Sequence, residues 1–243
     1  QVPERVHIYK VESPVKDKLE SLGMLLRSLG DQSTIVFLNY RDSVERTNKY
    51  LVEQGFSTSF FHGGLEQKER EASLYRFSNG SANILVSTDL ASRGLDIPDI
   101  DNIIHYHMPE SEDGYIHRVG RTARWEAQGR AFFLLGPEEH IPDYVDAEVE
   151  DYEIPAVEEL PMPAKPKMAT LYIGKGKKDK ISKGDILGFL CKKGGLNSSE
   201  IGKIDVNDRY AYAAIARPKL RSVLNNVKGE KIKGVKTIVE EVR

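Results

Sequence analysis

The 243 residues include one cysteine, Cys191, and one tryptophan, Trp125. A lone thiol excludes an internal disulfide framework and a cysteine-rich zinc site, and it fits a reducing, cytoplasmic setting. No apolar run approaches the ~20 residues that a membrane-spanning helix needs, and no signal-peptide pattern opens the chain, so no membrane partner is expected. There is no initiator methionine. The chain starts at Gln1 and residues 5–10 already read as a strand, so a piece of a longer or processed chain is expected. Two further absences concern chemistry. No G-x-x-x-x-G-K-[ST] phosphate loop occurs, since the run from Gly174 to Lys178 lacks both the spacing and the closing hydroxyl, and no Asp-Glu-Ala-Asp string occurs. His105 and His107 alternate on a strand without cysteine or carboxylate partners, so no metal site is expected there.

What is present is unevenly distributed. Residues 1–164 hold 16 Lys+Arg against 29 Asp+Glu, a balance of −13, whereas residues 165–243 hold 19 against 8, a balance of +11. Such asymmetry predicts two domains with different partners, the basic one being a candidate for nucleic acid. Between them, residues 137–167 are acidic and carry six prolines with little apolar periodicity, which predicts an extended linker. The organisation read from this is a domain at 1–136, the linker at 137–167 and a domain at 168–243.

Within 1–136, apolar runs at 34–38, 58–61, 83–87, 102–106 and 131–135 alternate with helical patterns such as 43–53 and 67–77. Buried β-branched runs spaced by amphipathic helices predict an α/β domain with a parallel sheet covered on both faces. Ligand sites in such sheets gather beyond the carboxyl ends of the strands. Polar clusters stand at those ends: Asn39 and Arg41; His62, Gly63 and Gly64, followed by Gln67 and Arg70; then Thr88, Asp89, Arg93, Gly94 and Asp96. A further stretch, read as helical, carries His117, Arg118, Gly120, Arg121, Thr122 and Arg124. Arginines offer bidentate donors to phosphate oxygens, and glycines let backbone N–H groups approach them. On a helix Arg121 and Arg124 would share a face. Arg41 has an alternative partner in Glu45 at i,i+4, and Trp125 reads as a packing residue.

These strings, in this order over residues 5–136, resemble motifs IV, IVa, V and VI of superfamily-2 helicases of the DEAD-box branch. The resemblance implies a RecA-like C-terminal helicase lobe. It implies that Arg121 and Arg124 are arginine fingers on the γ-phosphate and that Gly94 and Asp96 meet the ATP ribose. Asn39, Arg41, Gly64, Gln67, Arg70 and Thr88 would then contact the RNA sugar-phosphate chain without reading bases. Arg93 and His117 would organise the interface between lobes. The cofactor implied is ATP, its Mg²⁺ held by a first RecA-like lobe that this chain lacks, so ATP hydrolysis by the chain alone should be negligible.

After the linker the expected elements are a strand at 170–173, a helix at 184–193, strands at 203–206 and 210–215, a helix at 219–227 and a strand at 235–242. That βαββαβ order is RRM-like. Tyr172, Tyr210 and Tyr212 could stack bases on the sheet or could be strand formers. The stronger electrostatic feature is the loop with Lys175, Lys177, Lys178, Lys180 and Lys183, five lysines within nine residues. The strings from Leu171 to Gly188, 201–206, 212–216 and 232–234 resemble the RNA-binding domain of DbpA-type helicases. That resemblance implies a monomeric RNA helicase that binds a large-subunit ribosomal RNA hairpin and remodels nearby duplexes in ribosome biogenesis. The alternative reading is an RNA-binding clamp or scaffold without catalysis.

Overall fold

The computed structural model describes residues 2, 5–95, 97–123 and 128–243. The chain divides into two compact units, residues 1–77 with 83–165 and residues 78–82 with 166–243. Among the described residues no helix is long and apolar enough to cross a membrane.

The first unit runs β1 (Val6–Glu12), α1 (Leu19–Leu29), β2 (Thr34–Phe37), α2 (Arg41–Glu53), β3 (Thr58–Phe61), α3 (Gln67–Ser78), β4 (Ile84–Ser87), β5 (Asn102–His105), α4 (Glu112–Val119), β6 (Gly129–Leu135) and β7 (Val149–Asp151). The strands form one parallel sheet in the order β3-β4-β2-β5-β6-β1-β7. Alternate residues of each strand feed two cores. Ile35, Phe37, Leu85, Ile103 and Phe133 lie in one, while Val36, Ile84, Val86, Ile104 and Phe132 lie in the other. Burial on both faces is why these strands read as continuous apolar runs. On one face α1 lays down a stripe of Leu19, Leu22, Leu25, Leu26 and Leu29 at helical spacing.

The expected extended linker is corrected over most of its length. Tyr144 packs against the first core and donates to the Pro109 carbonyl at 2.5 Å. Val149, Glu150 and Asp151 pair in parallel with β1, and Tyr152 and Ile154 pack against the second core. Farther on, Arg27 donates to the carbonyls of Leu160 and Pro161 at 3.1 and 2.8 Å. Apart from Glu139, which pairs with the buried Lys18, the acidic side chains are exposed, which removed the apolar periodicity from the sequence without removing the packing.

The second unit has β8 (Met168–Ile173), α5 (Lys183–Lys192), β9 (Ile201–Val206), β10 (Ala211–Ala216), α6 (Leu220–Val227), a two-stranded hairpin of β11 (Lys231–Ile232) and β12 (Val235–Lys236), and β13 (Val239–Val242). Four strands form an antiparallel sheet in the order β13-β8-β10-β9. Its core joins Leu171, Ile173, Ala211, Ala213 and Ile215 of the sheet to Ile186, Phe189 and Leu190 of α5 and Val223 and Val227 of α6. The single last strand expected over 235–242 is two pieces, because Lys233 and Gly234, both at positive φ, turn the chain back on itself first.

Candidate functional site

The carboxyl ends of β2, β3 and β4, neighbours in the sheet, bring together most of the residues proposed to meet RNA. Arg70, on the first turns of α3, donates to the carbonyls of Gly63 and Leu65 at 2.8 and 3.0 Å and so fixes the turn after β3. His62, buried, accepts from the Gly64 N–H through Nδ1 at 2.9 Å and meets Glu45 through Nε2 at 2.8 Å. Glu45 is therefore engaged by His62, and no Arg41–Glu45 pair is found among the described residues. The exposed Arg41 guanidinium instead lies against the turn, where a Cβ on Gly63 would stand 2.7 Å from its Nη2. Gln67 is exposed at the start of α3 and reaches Glu71 at 3.3 Å. Thr88 is bound to the end of β3 through its N–H to the Phe61 carbonyl at 3.3 Å, and its hydroxyl caps the short turn at 89–92.

Asn39 stands apart from this group. Its side-chain oxygen accepts from Arg118 at 2.7 Å and its amide donates to the Met108 carbonyl at 3.1 Å. Its backbone N–H donates to His107 Nδ1 at 2.9 Å. Both ends of its amide are thus engaged inside the lobe.

Arg118 is the hub, a role that its place in a motif did not disclose. It is fully buried. Nε and Nη2 hold the two Asp89 oxygens at 2.6 and 3.1 Å, Nη1 reaches the His107 carbonyl at 2.8 Å and His105 Nδ1 at 3.3 Å, and Nη2 also holds Asn39. One guanidinium therefore ties together the ends of β2, β4 and β5 and helix α4. The fork geometry matches the carboxylate bidentately, which an ammonium could not do. Burial, with the Arg118 charge beside it, holds the His105 imidazole well below its ordinary pKa. Burial, reinforced by Lys18, lowers His107 to about 4. Neutral rings are what the network requires, since each accepts at Nδ1. Lys18 is a second buried cation that sequence reasoning missed. Its ammonium donates to the Tyr106 carbonyl, to the Leu134 carbonyl at 2.8 Å and to Glu139 at 2.7 Å, and burial lowers its pKa.

Helix α4 ends at Val119, so Arg121 lies beyond the helix on which it was expected. Gly120 caps the helix and Thr122 bridges to Ile100. Arg121 is buried and folds onto the loop after β4, donating to the carbonyls of Ser92 at 3.2 Å and Leu95 at 3.0 Å. That loop carries Gly94 at φ +65°, with open space where a side chain would be. Arg121 and Gly94, proposed together for the nucleotide, are thus adjacent. Asp96, Arg124 and Trp125 lie outside the described residues. Arg93 and His117 both meet Asp113 at the surface.

In the second unit the lysine loop is stitched down rather than loose. The N–H groups of Lys177 and Lys178 donate to the carbonyls of Asn207 and Asp208, each at 2.8 Å. Gly176 lies so close to that turn that a Cβ would meet the Asn207 oxygen at 2.0 Å. Lys177, Lys178, Lys180 and Lys183 are exposed and Lys175 is half-buried. Lys177, Lys180 and Lys183 rim a depression of about 550 Å³ floored by Ile181, Ile204 and Val206. On the sheet face away from the helices, Tyr172 stacks on Tyr210 at 5.9 Å between ring centres, and Tyr212 meets both edge-on. The strand register sets Asp205 opposite Tyr212 and Glu240 opposite Tyr172. The tyrosines therefore pack on one another within a carboxylate-flanked face.

Residues 17–126 match the helicase conserved C-terminal domain, which places the first unit in the class of C-terminal helicase lobes with a RecA-like parallel sheet. Residues 170–241 match the DbpA RNA binding domain. The chain thus carries a helicase conserved C-terminal domain followed by a DbpA RNA binding domain, and in this order it is similar to DEAD-box RNA helicases of the DbpA type. It is 35% identical to the ATP-dependent RNA helicase DbpA of Escherichia coli over 92% of this chain and 50% of that protein. It is 30% identical to DbpA of Bacillus subtilis over 90% of this chain and 51% of that one. The chain thus spans about half the length of these curated relatives. Among solved structures, the E. coli DEAD-box protein SrmB bound to regulator of ribonuclease activity A matches with a TM-score of 0.58 at 29% identity, over 68% of this chain and 99% of that one.

Proposed function

We propose that the chain supplies the second motor lobe and the RNA anchor of an ATP-dependent RNA helicase that acts as a cytoplasmic monomer on large-subunit ribosomal RNA during ribosome assembly. The observation that carries the motor reading is Arg121 seated on the Gly94 loop, an arginine and an unobstructed glycine side by side at the sheet edge. Those residues fit a nucleotide from one side only. Bound ATP would supply the phosphoryl group. This chain would contribute Arg121 and Arg124 toward the phosphates, and Gly94 and Asp96 toward the ribose. To reach a phosphate, Arg121 would exchange the Ser92 and Leu95 carbonyls for phosphate oxygens, a stronger charge-assisted pairing. Arg41, Gly64, Gln67, Arg70 and Thr88 would form the track for the RNA sugar-phosphate chain, with Arg118 fixing the strand ends beneath them.

The second unit supports the anchor. Its βαββαβ order and β13-β8-β10-β9 sheet agree with an RRM-like domain. Its five-lysine loop presents the charge at a rigid edge, whereas the tyrosine face is closed on itself. We assign the contact with a structured ribosomal RNA hairpin to the loop.

The test is ATP turnover by the chain alone and mixed with a first lobe carrying the phosphate loop, each with and without a ribosomal RNA hairpin. Turnover only in the mixture, stimulated by RNA, is the expected result. Hydrolysis by the chain alone would overturn the reading, and a mixture that binds RNA without turnover would favour a non-catalytic clamp.

A further inference from the structure

The β11–β12 hairpin is built in a way that folding alone does not account for. Its two turn residues, Lys233 and Gly234, have φ of 50° and 76°. Such turns favour asparagine, aspartate or glycine at the first position, because a β-carbon there is strained. A lysine stands there instead, and its ammonium is engaged: it donates to the Lys180 carbonyl at 3.1 Å and lies 3.2 Å from the Asp185 carboxylate. The turn of the hairpin is thereby fastened to the lysine loop and to the first turn of α5.

The strands of the hairpin carry a second anomaly. Lys231 sits directly opposite Lys236, and both are exposed. Like charges directly opposed on one face of a ladder destabilise it, and neither lysine makes an ion pair among the described residues. The neighbouring pair is Ile232 and Val235, and Ile232 is sunk into the core of the unit. Alternation along the strands therefore sends the two ammonium groups away from the core. Nothing in the fold is gained by setting them face to face, but an anion placed between them would turn the repulsion into a two-point site.

Resting on the reading of this unit as an RNA anchor, we infer that the β11–β12 hairpin is the second arm of its phosphate-binding surface. Lys231 and Lys236 are the phosphate ligands of that arm. Lys233 is a positioning residue that clips the arm to the loop carrying Lys177, Lys180 and Lys183. The surface is thus two-sided, and its halves meet where Lys233 touches the Lys180 backbone.

The experiment measures binding of the whole 243-residue chain to a ribosomal RNA hairpin across a salt series, together with thermal unfolding of each variant. Lys231→Ala with Lys236→Ala removes two phosphate contacts, so the slope of log K against log salt should flatten by ~1.4–1.8 and affinity at 0.15 M salt should fall roughly tenfold or more. The same change relieves the cross-strand repulsion, so the unfolding temperature should hold or rise, opposite in sign to the loss of binding. Lys233→Asn keeps a residue suited to the turn but removes the clip. It should lower affinity while leaving the salt slope nearly intact, and Lys233→Arg should restore much of the loss. If the hairpin double variant binds as tightly and as salt-dependently as the parent while Lys177→Ala, Lys178→Ala and Lys180→Ala together weaken binding, the second arm is overturned and the loop anchor stands. If neither set alters binding, the anchor reading itself fails, and the second arm with it.

Discussion

The two units use cations in opposite ways. In the first, most of the arginines at the strand ends are drawn inward: buried Arg118 holds five acceptors, buried Arg121 lies on two carbonyls and half-buried Arg70 braces a turn, while Arg41 is exposed. In the second, the lysines other than half-buried Lys175 are exposed, and several have no carboxylate partner among the described residues. The net charge of −13 over residues 1–164 beside +11 over residues 165–243 hides this difference in chemistry. A planar fork fixes geometry among acceptors, whereas a mobile ammonium collects phosphates wherever they pass. Arg118 and Arg70 set positions within the first unit, whereas the second unit's exposed lysines are available to an outside polyanion.

The largest expected effect breaks the comparison on the arginine side. With a first lobe supplied, Arg121→Ala should cut RNA-stimulated ATP turnover by ~10³-fold or more, the range for removal of an arginine finger, while the affinity for the ribosomal hairpin stays within twofold. Turnover and binding falling together would show that the two cation sets are not separate. Next, Arg118→Ala should lower the unfolding free energy by ~3–5 kcal/mol in urea, because Asp89, Asn39 and the His107 carbonyl lose their shared donor. Arg118→Lys should recover only part of it, since an ammonium cannot span those acceptors; full recovery would mean that charge matters there and the fork does not.

The lysine side is probed by Tyr212→Ala against the loop. Tyr212 is 3% exposed, so its loss should destabilise the second unit by ~3 kcal/mol with little change in RNA affinity measured well below the melting temperature. A loss of ~1–3 kcal/mol of binding at unchanged stability would instead make the sheet a stacking platform. The triple Lys177→Ala, Lys178→Ala, Lys180→Ala variant should do the reverse, weakening all RNAs and flattening the salt slope while thermal unfolding stays put.

The smallest effect is one of pH. His107 titrates at about 4 when folded and near 6.5 when unfolded. Between those values the unfolded chain binds the extra proton, so stability should decline as pH falls from about 6.5 to about 4 and His107 should add no further change below that. Urea midpoints at pH 7 and 5 should differ less for His107→Gln than for the parent. Equal differences would remove His107 from the account.

How far the sequence discloses this molecule follows from what each signal depends on. Strands buried on both faces, such as 34–37 and 84–87, are written as plain apolar runs and were legible. The clusters at their carboxyl ends were legible too, because Gly, Arg and hydroxyl residues in a fixed order are rare. Arg118 was not, because nothing in a string distinguishes an arginine that points outward from one that closes a network between strands far apart in sequence. The edge strand Val149–Asp151 escaped because it pairs on one side only and shows acids to solvent. The hairpin at 231–236 escaped because its strands are two residues each, too short for alternation to show. The one trace of it was the Lys233-Gly234 pair, a weak turn signal.

Gly176 has a consequence for how fast and how tightly RNA is captured. Its lack of a side chain lets the lysine loop lie flat on the turn at 207–208, where two backbone hydrogen bonds hold it. The entropy lost in ordering that segment is charged to folding, before any ligand arrives. Association then freezes only lysine rotors, and more of the electrostatic attraction survives as affinity. A methyl group at residue 176 would lift the loop, and the same five charges would meet RNA as a flexible arm, still attracting it at a distance but releasing it sooner.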